Sequence, residues 1–151
     1  MKKNSEYGRS MVEMVGVLAV MGLITAGAFV LINTSLKAQK ISRADDDVAN
    51  IAANIRLLGG ETADYSGLPA PEGNKSEGTQ LLKNLSLVSN TPFGSSTTYS
   101  VTRNSADSHG FVVLLMGLSA QDCLALSRRT WNGAVNQSCN TGNSLSVVFA
   151  G

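Results

Sequence analysis

Cys123 follows directly on Asp122, and the chain's single histidine, His109, stands elsewhere; these are the raw materials of a thiol nucleophile with a base and an orienting acid. Their spacing carries no supporting signature, and a cysteine tied up in a disulfide could attack nothing. Asp45, Asp46 and Asp47 gather three carboxylates as a cation site would. Consecutive helical positions point about 100° apart, however, and do not converge on one ion. The triplet reads as a solvated face, or as a subunit contact for Lys37, Lys40 or Arg43. No GxGxxG or P-loop pattern is present, so nothing implies nucleotide binding. The expectation is a protein that is not an enzyme and carries no metal or cofactor.

Cys123 and Cys139, sixteen positions apart, leave two readings. An even count in a chain that begins with a membrane-targeting segment favours a disulfide, because the part beyond the membrane lies in an oxidising compartment. Closing a loop of that size contributes about 3 kcal/mol in the chain-entropy account. The other reading is two unpaired buried thiols. Metal ligation has less support, since neither cysteine has a second Cys or His at close spacing.

One more residue is chemically out of place. In GRSMVEMVGVLAVMGLITAGAFVLI, from Gly8 to Ile32, Glu13 is the only charge from Met11 onward. A charged side chain at the centre of a bilayer costs about 2.5–3.5 kcal/mol on insertion scales, so it calls for a partner or for an edge to snorkel to.

The element that must position Glu13 is a helix. Met11 to Ile32 covers roughly 33 Å as a helix, enough for a hydrocarbon core of about 30 Å. Lys2 and Lys3 before it keep the N-terminus cytoplasmic and send the remainder outward. The apolar run exceeds that of a secretory signal peptide, and no small-x-small cleavage site is followed by an obvious mature start. Beyond it, Ile41, Ala44, Val48, Ile51, Ile55 and Leu58 recur at threes and fours, the stripe of a helix packed on a domain. Gly59 and Gly60 then read as its stop, which predicts one helix from about residue 9 to 58.

After an irregular Gly- and Pro-containing stretch, a short helix is predicted at about 77 to 84, with Leu81, Leu82 and Leu85 as its apolar contacts. Strands are predicted near 97 to 103 and 110 to 116, joined by the turn-rich NSADSHG, and NSLSVVFAG reads as a terminal strand. Ser119 with Asp122 three later predicts a capped helix to about Arg129. The fold class is α+β: a long N-terminal helix, its first half transmembrane, packed on a small antiparallel sheet. Lys plus Arg is 12 against Asp plus Glu 11, without a basic run, so nucleic acid is not expected as a main partner.

GRSMVEMVGVLAVMGLI resembles the class III leader and N-terminal helix of type IV pilins and the related pseudopilins. The shared pattern is a short polar leader ending in glycine, here MKKNSEYG, then one residue, three apolar or small residues, a glutamate and a long apolar helix. The resemblance implies cleavage by a prepilin peptidase between Gly8 and Arg9 and N-methylation of Arg9. Residue 9 is arginine where many members have phenylalanine, methionine or leucine. Glu13 becomes the fifth residue of the mature chain and, by resemblance, the subunit-assembly residue that meets a neighbour's N-terminal ammonium. Gly22 and Gly27 are the points of helix flexibility, and small residues there also let helices approach closely.

The resemblance divides the chain into a leader (1–8), a transmembrane and polymerisation helix (9–33) and an exported pilin domain (34–151). Its cysteine loop, DCLALSRRTWNGAVNQSC, looks most like that of the type IVb group, with residues 120–143 as the most exposed face and Arg128, Arg129 and Trp131 as contacts; Trp131 covering the sheet edge is the plainer alternative. The implied partners are copies of the chain in a helical filament, the prepilin peptidase and the pilus assembly machinery. The implied location is a bacterial inner membrane as prepilin, the domain periplasmic, and then an extracellular pilus. Two other functions fit the same text: a type II secretion pseudopilin or minor pilin, and a membrane-anchored binding module that never polymerises.

Overall fold

An apolar run from Met11 to Ile32, followed by apolar residues spaced at threes and fours from Ile41 to Leu58, specifies a helix long before it specifies a domain. In the computed structural model, which describes residues 6–71, 75–140 and 143–150, that helix is α1 (Glu6–Gly59). The chain divides into two units, Met1–Gln39 and Lys40–Gly151. In the first unit every side chain from Met11 to Gln39 is exposed, Leu23 by 76%. This stretch is long and apolar enough to cross a membrane. Both threonine hydroxyls bond back to the helix, as apolar surroundings favour: Thr25 donates to the Met21 carbonyl at 2.6 Å and Thr34 to that of Leu31 at 2.9 Å.

In the second unit the remainder of α1 packs on an antiparallel sheet. The strands are β1 (Thr98–Arg103), β2 (Gly110–Met116), β3 (Ala134–Asn140) and β4 (Ser144–Ala150), in the order β1-β2-β4-β3. Registers Tyr99↔Leu115, Val101↔Val113, Val113↔Val147 and Phe111↔Phe149 put these side chains on one face, because strand residues alternate sides. That face and the α1 stripe Ala44, Val48, Ile51, Ala52 and Ile55 form a single core. The stripe ends earlier than its spacing predicts: Leu58 is 55% exposed. β2 is central, which is why GFVVLLM is an unbroken apolar run rather than an alternating one.

The residues expected to stop α1 do two different jobs. Gly60 takes the left-handed conformation (φ 60°) at the start of a 3-10 turn, Gly60–Thr62. Gly59 has ordinary helical angles, but a Cβ there would sit 2.6 Å from the Tyr65 ring. Its missing side chain admits Tyr65 to the core, where that ring meets Phe111 at 5.0 Å.

Both outer strands need their edges managed. β1 is covered by α2 (Lys75–Asn84) and the loops beside it. Tyr99 N–H donates to Ser89 O at 2.9 Å, Thr79 Oγ1 donates to Tyr99 O at 2.7 Å, and Arg103 N–H donates to Pro69 O at 3.0 Å. Gly78 brings the helix backbone directly against Val101. β3 is the strand the sequence did not signal. It is mostly exposed, and it carries polar side chains along an edge unsuited to sticking. α3 (Ala120–Ser127) begins as predicted, with Ser119 Oγ accepting from Asp122 N–H at 3.1 Å, and ends at Arg128.

Candidate functional site

α1 sets Glu13, Gly16, Val17, Val20, Met21 and Ile24 on one face, the last five at three, four, seven, eight and eleven positions from Glu13, where they line a shallow apolar groove. Nothing lies within 4 Å of where a Cβ on Gly16 would stand. Glu13 is exposed at one end of this groove. Gly22 and Gly27 have equally open surroundings, and α1 continues through both. Gly8 and Arg9 have helical backbone at the start of α1, while their side chains and residues 1–5 of the leader lie outside the described residues. The arrangement presents one acid on an apolar helix face, where a carboxylate is costly without a cation beside it.

In the other unit the two cysteines form the disulfide Cys123–Cys139, with Cα atoms 6.0 Å apart. It joins Cys123, buried on α3, to exposed β3. Gln137 adds a second tie, its side-chain amide donating to Ser127 O at 2.7 Å and to Arg129 O at 2.5 Å, two carbonyls around the end of α3. Arg128 and Arg129 are exposed, as a contact surface requires. Trp131 is not: it is 6% exposed and belongs to the core.

The acidic triplet also divides. Asp46 is exposed, but Asp47 is half-buried and accepts a hydrogen bond from Tyr99 Oη at 3.1 Å. Burial pushes the Asp47 carboxyl above its usual range, partly opposed by the Tyr99 hydroxyl. Burial and the adjacent carboxylate push the Tyr99 phenol far up as well, so it stays a donor. The sequence reading missed this pair; its signal was Asp47 lying one position from the apolar Val48. His109 has its Nδ1 3.2 Å from Ala63 O and helps hold the loop after α1 against the β1–β2 turn. Cys123 is oxidised, so no thiolate is available beside Asp122. Among the described residues no group of three His, Cys, Asp or Glu side chains is placed to hold a metal ion.

Compared with known proteins, the sequence matches no family model and no curated protein.

Proposed function

We propose that this chain is the structural subunit of a type IV pilus, most like the type IVb group. In this reading a prepilin peptidase removes residues 1–8, Arg9 becomes the methylated N-terminus, and the exposed apolar helix leaves the membrane to pack with copies of itself in an extracellular filament. The observation that carries the reading is Glu13. It is the only charge between Met11 and Ile32, on a face whose other groove residues are apolar or glycine, in a helix segment with no buried side chain. A surface of that size and polarity calls for lipid, for other subunits, or for each in turn. The carboxylate is costly in either setting until a neighbour's ammonium, created by removal of the leader, meets it. The disulfide and the exposed Arg128 and Arg129 support an exported domain with a stapled outward-facing region.

The test is charge reversal in cells that express this chain beside a pilus-assembly machinery. Glu13→Lys is expected to abolish filaments seen by electron microscopy while membrane insertion stays at the parent level. Unchanged filaments would remove Glu13 from assembly. A protein that forms no filaments in either version would instead fit a non-polymerising anchor.

A further inference from the structure

A second polar site lies in the unit Lys40–Gly151, and it depends on nothing said above about assembly. Ser66, Ala70 and Pro71 from the loop after α1 face Arg103, Ser105 and Ser108 from the β1–β2 turn, around a depression of about 470 Å³. That is within the range of roughly 300–1,000 Å³ that small-molecule sites occupy.

The two walls are stapled before any ligand arrives. Arg103 N–H donates to Pro69 O at 3.0 Å and Tyr65 N–H to Ser108 O at 3.1 Å. The turn is braced internally: Asn104 Oδ1 accepts from Ala106 N–H at 3.1 Å and Asp107 Oδ1 from His109 N–H at 2.9 Å. Preorganised walls lower the ordering cost of binding. By contrast, the chemically active groups are uncommitted. The Arg103 guanidinium has no carboxylate partner among the described residues, and the hydroxyls of Ser105 and Ser108 have no hydrogen bond there either.

We infer that this depression binds a sugar bearing a single carboxylate. The guanidinium fork matches a carboxylate bidentately. The free seryl hydroxyls match the hydroxyls of a sugar ring, and Ala70 with Pro71 offers an apolar wall to the ring's C–H face. Two neighbouring acids shape the choice. Asp64, held ionised by hydrogen bonds from Ser66, and Asp107 in the same turn both repel a densely charged ligand. A single guanidinium suits one negative charge on an otherwise neutral polar body, not a phosphate-rich one.

The experiment is ligand-observed saturation-transfer NMR on the full-length chain in a sugar-free detergent, with sodium glucuronate, glucose and acetate as probes. Saturable glucuronate binding is expected, with glucose and acetate each at least about tenfold weaker, since each lacks half of the matching groups. Arg103→Gln is expected to weaken glucuronate about tenfold or more, and Arg103→Lys less. Arg103 is exposed, so the variant should melt with the parent. Should it not, Ser108→Ala decides instead, with an expected severalfold loss. Acetate binding as well as glucuronate would reduce the site to a bare anion contact and overturn the sugar assignment. Glucuronate binding unchanged by both substitutions, or absent in the parent, would overturn the site itself.

Discussion

Substituting Gly78 by alanine tests how α2 seals the sheet. A Cβ at this position would stand 2.3 Å from Ser100 Oγ, 2.3 Å from Val101 O and 2.7 Å from Val101 N. Two of those atoms are backbone of β1 and cannot rotate away, so α2 must back off by about 1 Å to reach ordinary contact. Two hydrogen bonds span the same gap, Thr79 Oγ1 to Tyr99 O and Ser100 Oγ to Lys75 O, both at 2.7 Å. Losing them costs about 0.5–1.5 kcal/mol each, and the overpacking adds about 1–3 kcal/mol. Alanine's helix preference over glycine returns about 1 kcal/mol. The sum is a loss of about 1–5 kcal/mol, centred near 3, or a fall in Tm on the order of 10 °C. The assay is thermal unfolding of the detergent-solubilised chain followed by near-UV circular dichroism. Gly67→Ala is the control: nothing lies within 4 Å of its Cβ, and a change within about 0.5 kcal/mol is expected. A Gly78→Ala protein as stable as the parent would refute the argument that a side-chain-free helix position seals the β1 edge.

Further expectations concern the pair at the α1–sheet contact and the disulfide. Asp47 has its carboxyl raised by burial, so its folded value lies above the unfolded one; the stability it contributes is present at low pH and is lost as pH rises through the folded value. Asp47→Asn keeps an acceptor for Tyr99 without that loss, so the variant's Tm should gain on the parent's between about pH 3 and pH 6, and a gain by the parent over that window would contradict the burial argument. Cys139→Ser opens the link between α3 and β3 and should cost about 2–4 kcal/mol in denaturant unfolding. With the Gln137 tie still in place, secondary structure in the core strands should persist under native conditions. Collapse of the whole sheet on this substitution would show that the staple holds more than the β3 edge.

What the sequence made legible follows from how many constraints each element answers to. The α1 stripe from Ala44 to Ile55 was readable because one face of one helix meets one core, and β2 because burial on both faces leaves no room for polar residues. The start of α3 was readable because a serine with an aspartate three positions on is a local hydrogen-bonding unit. β3 was not, since AVNQSCN has neither alternation nor β-branched enrichment beyond Val135. Its strand geometry comes from pairing with β4 and from the disulfide, neither of which shows in the segment's own residues. Contacts beyond the local segment also explain Trp131, read as a contact on an exposed face or a cover for the sheet edge but drawn into the core by the fold, and the Asp47–Tyr99 pair, whose members are 52 positions apart. At the N-terminus the spacing that singles out Glu13 is local and legible, whereas the cation proposed to meet it belongs to another molecule.

The central claim is that maturation and polymerisation are coupled, because removing the leader creates the ammonium that makes Glu13 tolerable among apolar helices. N-terminal sequencing, with mass spectrometry, of subunits recovered from purified filaments tests it most directly. The account predicts chains beginning at Arg9 with a methylated amino group. Filaments built from chains that still begin at Met1 would contradict it.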